Sequence, residues 1–325
     1  MRPWGTDGGD EFMRNRSQAI QRLLPFISLA LLFVVLSIAS PYFLTATNLS
    51  SVIRQTAVIN IMALGMTLVI VSGGIDLSVG SILAFSGVIG TMTMVGTGSV
   101  PLGIGVGIVC GTLWGCANGL MISMLRIPPF IVTLGTLGIV RGLTLVISGG
   151  LPVVGLPKEH GFLGEGTIGP APFVLVVLVG CAVLTHFALH GTKLGRYTYA
   201  IGSNEAAAVY AGIPVARYKV AIYAICGLLT GLAGMIETSR LMTGQPTAGV
   251  SYELQVIAAV VIGGGSLTGG AGTVIGTLIG AFIMGLLSNG SDLLGVNPYW
   301  QQVIIGAIII LAVALDEARK RRFST

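Results

Sequence analysis

Charged and aromatic side chains are scarce in this sequence. They make up 9% and 7% of its 325 residues, whereas about a quarter of the residues in a soluble domain are charged. The four cysteines lie in apolar runs with no pair at metal-ligand spacing, and the three histidines form no ligand pattern. We therefore predict no metal site, and we interpret the cysteines as small buried side chains. These cysteines are Cys110, Cys116, Cys181 and Cys226.

Signatures of catalysis are also missing. The sequence contains no Ser-His-Asp arrangement and no phosphate-binding loop of the form G-x-x-x-x-G-K-[ST]. We predict that the chain is not an enzyme, and the same absence disfavours an integral-membrane enzyme. If nucleotide hydrolysis powers the protein, another subunit must supply the phosphate-binding loop.

Apolar residues are abundant instead. They make up 53% of the chain, the mean hydropathy is +0.91, and the 49 glycines fit membrane helices that pack closely through small residues. We predict an all-α polytopic membrane protein of about ten transmembrane helices, two of whose segments are broken. The predicted spans are 24–44, 52–72, 77–96, 101–124, 128–147, 171–190, 219–242, a short or broken 254–266, 272–290 and 298–315.

The positive charge is concentrated at the two tails and in one central loop. The net charge of the chain is +5. We attribute the clustered positive charge to membrane orientation and to contact with anionic lipid headgroups rather than to nucleic-acid binding. The first apolar run is longer than a signal-peptide core and is therefore predicted to be an uncleaved span. We predict cytoplasmic tails at 1–23 and 317–325 around a transmembrane domain at 24–316.

The central polar stretch, residues 191–218, is predicted to hold a short helix on the cytoplasmic membrane surface. Ser203 and Asn204 are suitable N-caps, Glu205 suits the helix dipole, and three alanines favour helix before Gly212 and Pro214 end it. At about two turns, such a helix is too short to cross a bilayer. It is either a handle for a soluble partner or a capped connector between two membrane helices.

Two glycine-rich segments share a pattern. Residues 73–80 (GGIDLSVG) and 263–270 (GGGSLTGG) match at Gly, Gly, Leu, Ser/Thr and Gly, which indicates a weak internal repeat around the central loop. Breaks at corresponding places in two halves are typical of a transport pathway, although they also occur as packing kinks. Six predicted spans between the breaks imply that the two halves cross the membrane in the same direction. If one of the six segments is re-entrant, the two halves are inverted relative to each other.

Ionisable residues inside apolar runs usually pair or face water, because an unpaired charge there is costly. Glu237 and Arg240, three residues apart, can form a local ion pair, and Asp76 either caps the next helix or touches a solute. Neutral polar residues in the spans could contact a polyhydroxylated solute or join helices. The candidate pathway or gate residues are Gln55, Asp76, Ser78, Asn118, Thr133, Thr136, Arg141, Glu237, Arg240 and Glu253.

Three motifs resemble those of a known family. They are similar to signatures of the monosaccharide permease subunits of bacterial ATP-binding-cassette (ABC) importers. The first is ALGMTLVI (63–70) followed by GGIDLSVGS, and the second is LGRYTYAIGSNEAAAVYAGI (194–213). The third runs from QPTAG (245–249) through Tyr252, Glu253 and Leu254 to IAAVVIGGGSLTGGAG. The resemblance covers about residues 40–316 and is closest to the ribose permease type. It departs from the family pattern at Ser203, where a glycine is common, and at Gln255, where an aspartate is common.

The resemblance implies a permease subunit of the bacterial inner membrane that pairs with a second copy or a close homologue. A cytoplasmic ABC ATPase, which holds the ATP and Mg, would dock on the short helix, making it a coupling helix, and a periplasmic sugar-binding protein would deliver a monosaccharide such as ribose. No cofactor is expected on this chain. The expected ATPase-coupling residues are Gly195, Arg196, Ser203, Asn204, Glu205, Ala206, Ala207, Ala208, Tyr210 and Gly212. The alternative is an ion-coupled secondary sugar transporter that uses Asp76, Glu237 or Glu253.

Overall fold

The computed structural model describes the backbone of residues 7–323 and the side chains of residues 23–314, apart from Pro298, Ile309, Ala312 and Val313. The chain is mostly helical. Its helices are α1 (Asp7–Ala39), α2 (Ala46–Val71), α3 (Val79–Thr97), α4 (Val100–Met124), α5 (Pro129–Ser148), α6 (Gly161–Glu165), α7 (Phe173–Gly191), α8 (Lys193–Ser203), α9 (Glu205–Tyr210), α10 (Val215–Leu241), α11 (Tyr252–Ile262), α12 (Val274–Leu293) and α13 (Pro298–Phe323). A 3-10 turn at Lys158–His160 precedes α6, and β1 (Thr167–Ile168) pairs antiparallel with β2 (Ala171–Pro172).

Seven helices in the described part of the chain are long and apolar enough to cross a membrane. They are α2, α3, α4, α5, α7, α10 and α12. The apolar part of α1, Leu23–Ala39, and α11 are shorter. A polytopic helical membrane protein is therefore confirmed, with seven helices that could span a membrane by length and composition. The count of about ten spans and the two broken segments stay predictions.

The two ends of the chain differ from the predicted boundaries. Helix α1 begins at Asp7, inside the predicted tail 1–23, and ends at Ala39, five residues before the predicted end of the first span. Helix α13 continues to Phe323 through most of the predicted tail 317–325. The basic side chains of both tails lie outside the described residues.

Helix α2 forms the centre of the bundle. Its residues from Thr56 to Val71 are all buried, and α7, α10, α11 and α12 pack around it. Helices α4, α5 and α7 lie at the periphery and expose apolar side chains such as Leu113, Val146 and Leu184. This outward apolar surface is what a lipid bilayer or another membrane helix would cover.

Glycines let α4 and α10 pack backbone against backbone. A Cβ built on Gly111 would lie 2.4 Å from the carbonyl oxygen of Gly227, and one built on Gly115 would lie 2.1 Å from that of Tyr223. No side chain fits at such distances. The abundance of glycine therefore reflects close helix packing, as predicted from the composition.

The glycine-rich segments connect helices at one end of the bundle. The first joins α2 to α3, the second joins α11 to α12, and the amide of Gly270 donates to the carbonyl of Val71 at 2.9 Å. Helices α2 and α11 therefore end at the same side, as a same-direction repeat requires. Helices α8 and α9 lie at this side too, so we call it the α9 end and the opposite side the far end.

Helix α11 begins inside the bundle and not at its surface. The non-helical segment 242–251 before it runs from the end of α10 to the first turn of α3, where a Cβ on Gly80 would lie 2.2 Å from the carbonyl oxygen of Gly249. From there α11 covers only about 16 Å. The short helix α11 thus occupies most of the predicted short or broken span 254–266, and the unwound segment lies just before it.

Candidate functional site

The predicted short helix is present as α9. The side chain of Asn204 accepts a hydrogen bond from the amide of Ala207 at 2.9 Å, so Asn204, and not Ser203, is the N-cap. Gly212, with φ +79°, follows the helix in the left-handed conformation that glycine favours. Ala208 packs inward with Ile201 and Val215, whereas Tyr210 is 92% exposed. One face of α9 is therefore anchored and the other is open to a partner.

Helix α8 was not predicted. Residues Lys193–Ser203 form a second short helix, which begins where the side chain of Thr192 accepts a hydrogen bond from the amide of Leu194 at 3.1 Å. Two of the predicted coupling residues, Gly195 and Ala208, are buried. The other predicted coupling residues are exposed: Arg196, Ser203, Asn204, Glu205, Ala206, Ala207, Tyr210 and Gly212. The exposed carboxylate of Glu205 pairs with the ammonium of Lys219 at 2.8 Å.

The end of α8 packs directly on both glycine-rich loops. A Cβ on Gly202 would lie 1.8 Å from the carbonyl oxygen of Val71 and 2.6 Å from the amide nitrogen of Gly270, and one on Gly269 would lie 2.9 Å from Gly73 Cα. We call Gly73, Gly202, Gly269 and Gly270 the glycine junction. The hydroxyl of Tyr199 also donates to the carbonyl of Gly272 at 2.7 Å. Backbone contacts without intervening side chains thus join α8 to the loops that end α2 and α11.

Four of the predicted pathway residues form one buried hydrogen-bond chain. Asp76 Oδ1 accepts from the amide of Ser78 at 2.9 Å and from its hydroxyl, Asn118 Nδ2 donates to Ser78 Oγ at 2.9 Å, and Thr136 Oγ1 donates to Asn118 Oδ1 at 2.6 Å. The chain links the α2–α3 loop to α4 and α5. Asp76 bonds the amide just before α3 and none of the helix's own first-turn amides, so it orders the loop instead of capping the helix.

The hydroxyl of Thr133 adds a bond to the carbonyl of Ile75 at 3.2 Å. All five side chains, Asp76, Ser78, Asn118, Thr133 and Thr136, are at most 2% exposed. In this conformation they therefore connect helices, and their contact with a solute stays a prediction. One carboxylate oxygen of Asp76, Oδ2, has no hydrogen-bond partner among the described residues.

Arg141 holds the unwound segment 242–251 against two helices. Arg141 lies about 18 Å from the start of α5, measured along the helix. Its guanidinium donates to the carbonyls of Pro246 and Ala248 at 2.7 and 2.9 Å and to that of Gly80 at 3.3 Å. A Cβ on Gly80 would lie 2.5 Å from Glu253 Oε2, so this carboxylate lies at the same place. A guanidinium group and a carboxylate therefore both lie near Gly80, at the point where α11 begins, without forming an ion pair among the described residues.

A second charged group lies on α10. Arg240 pairs with Glu237 at 2.9 Å, as the spacing predicted, and the hydroxyl of Tyr252 donates to Glu237 at 3.4 Å. Tyr252 was not predicted, because a tyrosine beside an apolar run carries no signal of its partner. Whether this group acts as a gate stays a prediction.

The loop between α5 and α7 covers the far end of the bundle. Arg54 on α2 pairs with Glu165 at 2.9 Å, which explains a basic residue at the end opposite α9, and the half-buried Gln55 is its neighbour in sequence. The fully buried ring of His160 bonds Thr238 through Nε2 at 3.0 Å. Burial lowers the pKa of His160 to about 4.

Comparison with known proteins finds relatives that match nearly the whole chain. The family described as Branched-chain amino acid transport system / permease component matches residues 48–313. The ribose import permease protein RbsC of Bacillus subtilis (strain 168) is 47% identical over 302 residues, 92% of this chain and 94% of that protein. The protein of the same name from Escherichia coli (strain K12) is 43% identical over 300 residues, 90% of this chain and 93% of its own. The L-arabinose ABC transporter permease protein AraH of Azospirillum brasilense is 39% identical over 317 residues, 97% of this chain and 91% of its own. No solved structure matches the chain.

Proposed function

This chain belongs to the branched-chain amino acid transport system / permease component family and is the permease component of an ABC-type sugar importer, and we propose that it carries ribose or a similar pentose or hexose. The names of its relatives support a monosaccharide. The ion-coupled alternative is set aside, because these relatives are permeases of ABC importers.

The observation that carries the mechanism is the exposed face of α9 above the glycine junction. An importer permease of this family works with an ATPase and a substrate-binding protein. We place the ATPase on α9, with ATP and Mg bound by that subunit and no cofactor on this chain. Closure of two ATPase subunits would displace α8 and α9, and the junction would pass this displacement to the ends of α2 and α11.

The pathway is proposed to follow the unwound segment 242–251. Non-helical backbone at membrane depth is tolerated where protein or water covers it, and this segment lies beside Arg141 and Glu253 at the start of α11. The predicted gate residues Glu237 and Arg240 lie between this point and the far end. A sugar-binding protein would deliver substrate at the far end.

The proposed topology has ten crossings in the bacterial inner membrane. The seven long helices are joined by α1, by the unwound segment with α11, and by α13. With this count both termini would lie at the α9 end, which we assign to the cytoplasm because the central loop is basic. A second copy or a close homologue would cover the apolar outer surface that lipid does not.

The experiment replaces residues 204–211 with an alternating Gly-Ser sequence. ATP-dependent sugar uptake into proteoliposomes and co-purification of the ATPase should fall to background, while the amount of inserted permease stays the same. As a matched pair, Tyr210→Ala should weaken ATPase binding and Tyr42→Ala should not, because Tyr42 is also exposed but lies at the far end. Full uptake after the replacement would refute the proposal.

A further inference from the structure

A cavity of about 630 Å³ opens at the α9 end, between the α4–α5 turn and the first turn of α10. Its walls are made by the end of α4, the start of α5, α9 and the start of α10. The lining residues that matter for the argument are Arg126, Arg217, Lys219, Glu205, Ile127 and Val209. The cavity lies beside the proposed ATPase-docking helix α9, whose residues Glu205 and Val209 form part of its wall.

The cavity is positively charged. Lys219 is neutralised by both carboxylate oxygens of Glu205 at 2.8 Å. Arg126 and Arg217 form no ion pair within the part of the chain whose side chains are described. Arg126 has φ +54°, a left-handed conformation that is costly for arginine, and its side chain is exposed. Two guanidinium groups are therefore available to an anion.

Two helix N-termini add to this charge. Helices α5 and α10 both begin at the cavity, after Pro128 and Pro214, and neither has a side-chain hydrogen bond at its cap. Pro129 has no amide hydrogen, and the amides of Ile131, Val215 and Arg217 donate to backbone carbonyls, so the helices contribute mainly through the partial positive charge of their N-termini. This charge favours anions. The N-termini of two long helices thus favour the same ligand charge as the guanidinium groups.

The surroundings of the cavity are apolar and lie at the membrane surface. Helices α4, α5 and α10 are all long enough to span the membrane, and each has one end here. Next to the cavity, Met124, Leu125 and Phe130 are 72%, 65% and 52% exposed. An anion with attached hydrocarbon chains would match both the charge inside and the apolar side chains outside.

We propose that this cavity binds the headgroup of an anionic phospholipid, such as phosphatidylglycerol. Its phosphate contacts Arg126 and Arg217, and its acyl chains lie along Met124, Leu125 and Phe130. We place this lipid in the cytosolic leaflet, and this placement rests on the proposed function, in which the α9 end faces the cytoplasm. Since Val209 of α9 and Ile127 of the α4–α5 turn both line the cavity, the bound headgroup holds these two segments together.

The test measures lipid binding to the purified full-length chain in detergent by native mass spectrometry, with phosphatidylglycerol and phosphatidylcholine added at equal concentration. The wild type should retain phosphatidylglycerol in preference to phosphatidylcholine. In Arg126→Gln/Arg217→Gln the ratio of bound phosphatidylglycerol to bound phosphatidylcholine should fall by about fivefold for each cation removed, so most of the preference is lost. The control is Lys158→Gln/Lys193→Gln, which removes two exposed charges outside the cavity and should keep the wild-type preference.

Several results would overturn the proposal. Equal retention of the two lipids by the wild type would do so without any variant, and so would an equal loss of preference in the control. Displacement of the lipid by inorganic phosphate at low millimolar concentration would identify a free anion as the ligand. Wild-type lipid binding by the Arg126→Gln/Arg217→Gln variant together with lost ATPase co-purification would make the cavity a protein contact. The assay needs neither ATPase nor sugar, so its failure leaves the transport function standing.

Discussion

At the level of single residues, His160 is an unusual side chain to find fully buried. The hydroxyl of Thr238 donates to the carbonyl of Met235 at 2.9 Å, so it accepts from Nε2–H of His160, and Nδ1 is left as the unprotonated nitrogen. This Nδ1 has no hydrogen-bond partner among the described residues. Protonation would place an unpaired charge in a buried site, so the loop that contains His160 is packed for the neutral ring.

We predict that acid loosens the far end of the bundle through His160. Its pKa of about 4 lies below the ordinary value of 6.5, so between these values the unfolded chain binds a proton that the folded chain does not. The contribution of His160 to stability is therefore complete above pH 6.5 and falls by up to about 1.4 kcal/mol per pH unit as the pH drops towards 4. Thermal unfolding in detergent at pH 7 and pH 5 measures this difference.

The matching variant is His160→Gln, which keeps a donor for Thr238 but does not titrate. Its melting temperature should change less between pH 7 and pH 5 than that of the wild type. His186→Gln, which changes an exposed histidine on α7, serves as the control and should behave as the wild type. Equal pH dependence in all three proteins would rule out His160 as the titrating group.

At the level of secondary-structure elements, α8 is the connection between the surface helix and the bundle. Gly202, in its last turn, contacts the two glycine-rich loops through backbone atoms. Interiors packed in this way do not absorb added volume without displacement. The position of α9 therefore depends on a single glycine in the element before it.

We predict that Gly202→Ala uncouples transport. The added Cβ would overlap the carbonyl oxygen of Val71 and the amide of Gly270, so α8 has to move away from both loops. Sugar-stimulated ATPase activity and uptake should fall at least about tenfold, and the melting temperature should decrease, since overpacking costs about 1–3 kcal/mol. Gly180→Ala is the matched control, because a Cβ there meets nothing within 4 Å. Uptake by Gly202→Ala at the level of this control would contradict the coupling role of the junction.

The sequence predicted α9 but not α8, for a physical reason. A polar N-cap, an acidic first turn and three alanines are local signals, and they predict α9 without any tertiary contact. Residues 193–203 contain two glycines, at positions 195 and 202, which weaken helix propensity locally. Only the folded protein shows that both are required for contact, Gly195 with Leu189 and Gly202 with Val71.

The interior polar residues show the same limit. The spacing of Glu237 and Arg240 predicted an ion pair because i and i+3 share a helix face. Asp76, Asn118 and Thr136 come from a loop and two helices, so nothing in the sequence indicated that they form one hydrogen-bond chain. Partners far apart along the chain are set by the packing of the bundle, and a pattern within one segment does not contain that information.

At the level of the whole molecule, the long helices are joined so that the two polar surfaces, the α5–α7 loop and the pair of short helices α8 and α9, lie at opposite ends. The α5–α7 loop with Lys158 covers the far end, and α8 and α9 lie at the other. The apolar side chains between them face outward from α4, α5 and α7. This arrangement allows a direct test of the proposed orientation.

We predict that Lys158 faces the periplasm and Tyr210 the cytoplasm. In a background from which the four native cysteines have been removed, Lys158→Cys should react with a membrane-impermeant maleimide added to spheroplasts. Tyr210→Cys should react only after the membrane is permeabilised. Both side chains are exposed, so poor labelling would not come from burial. The reverse pattern of labelling would place α9 outside the cell and would exclude an ATPase bound to it.

The glycine junction also implies an order in which we expect the newly made protein to mature. It brings together residues 73, 202 and 269, so it closes only after the second glycine-rich loop has left the ribosome. Until that moment α8 and α9 are already synthesised but rest on half of their support. An ATPase that recognises α9 in its final position would thereby select finished permeases over nascent or truncated chains, and assembly of the importer would wait for the last quarter of translation.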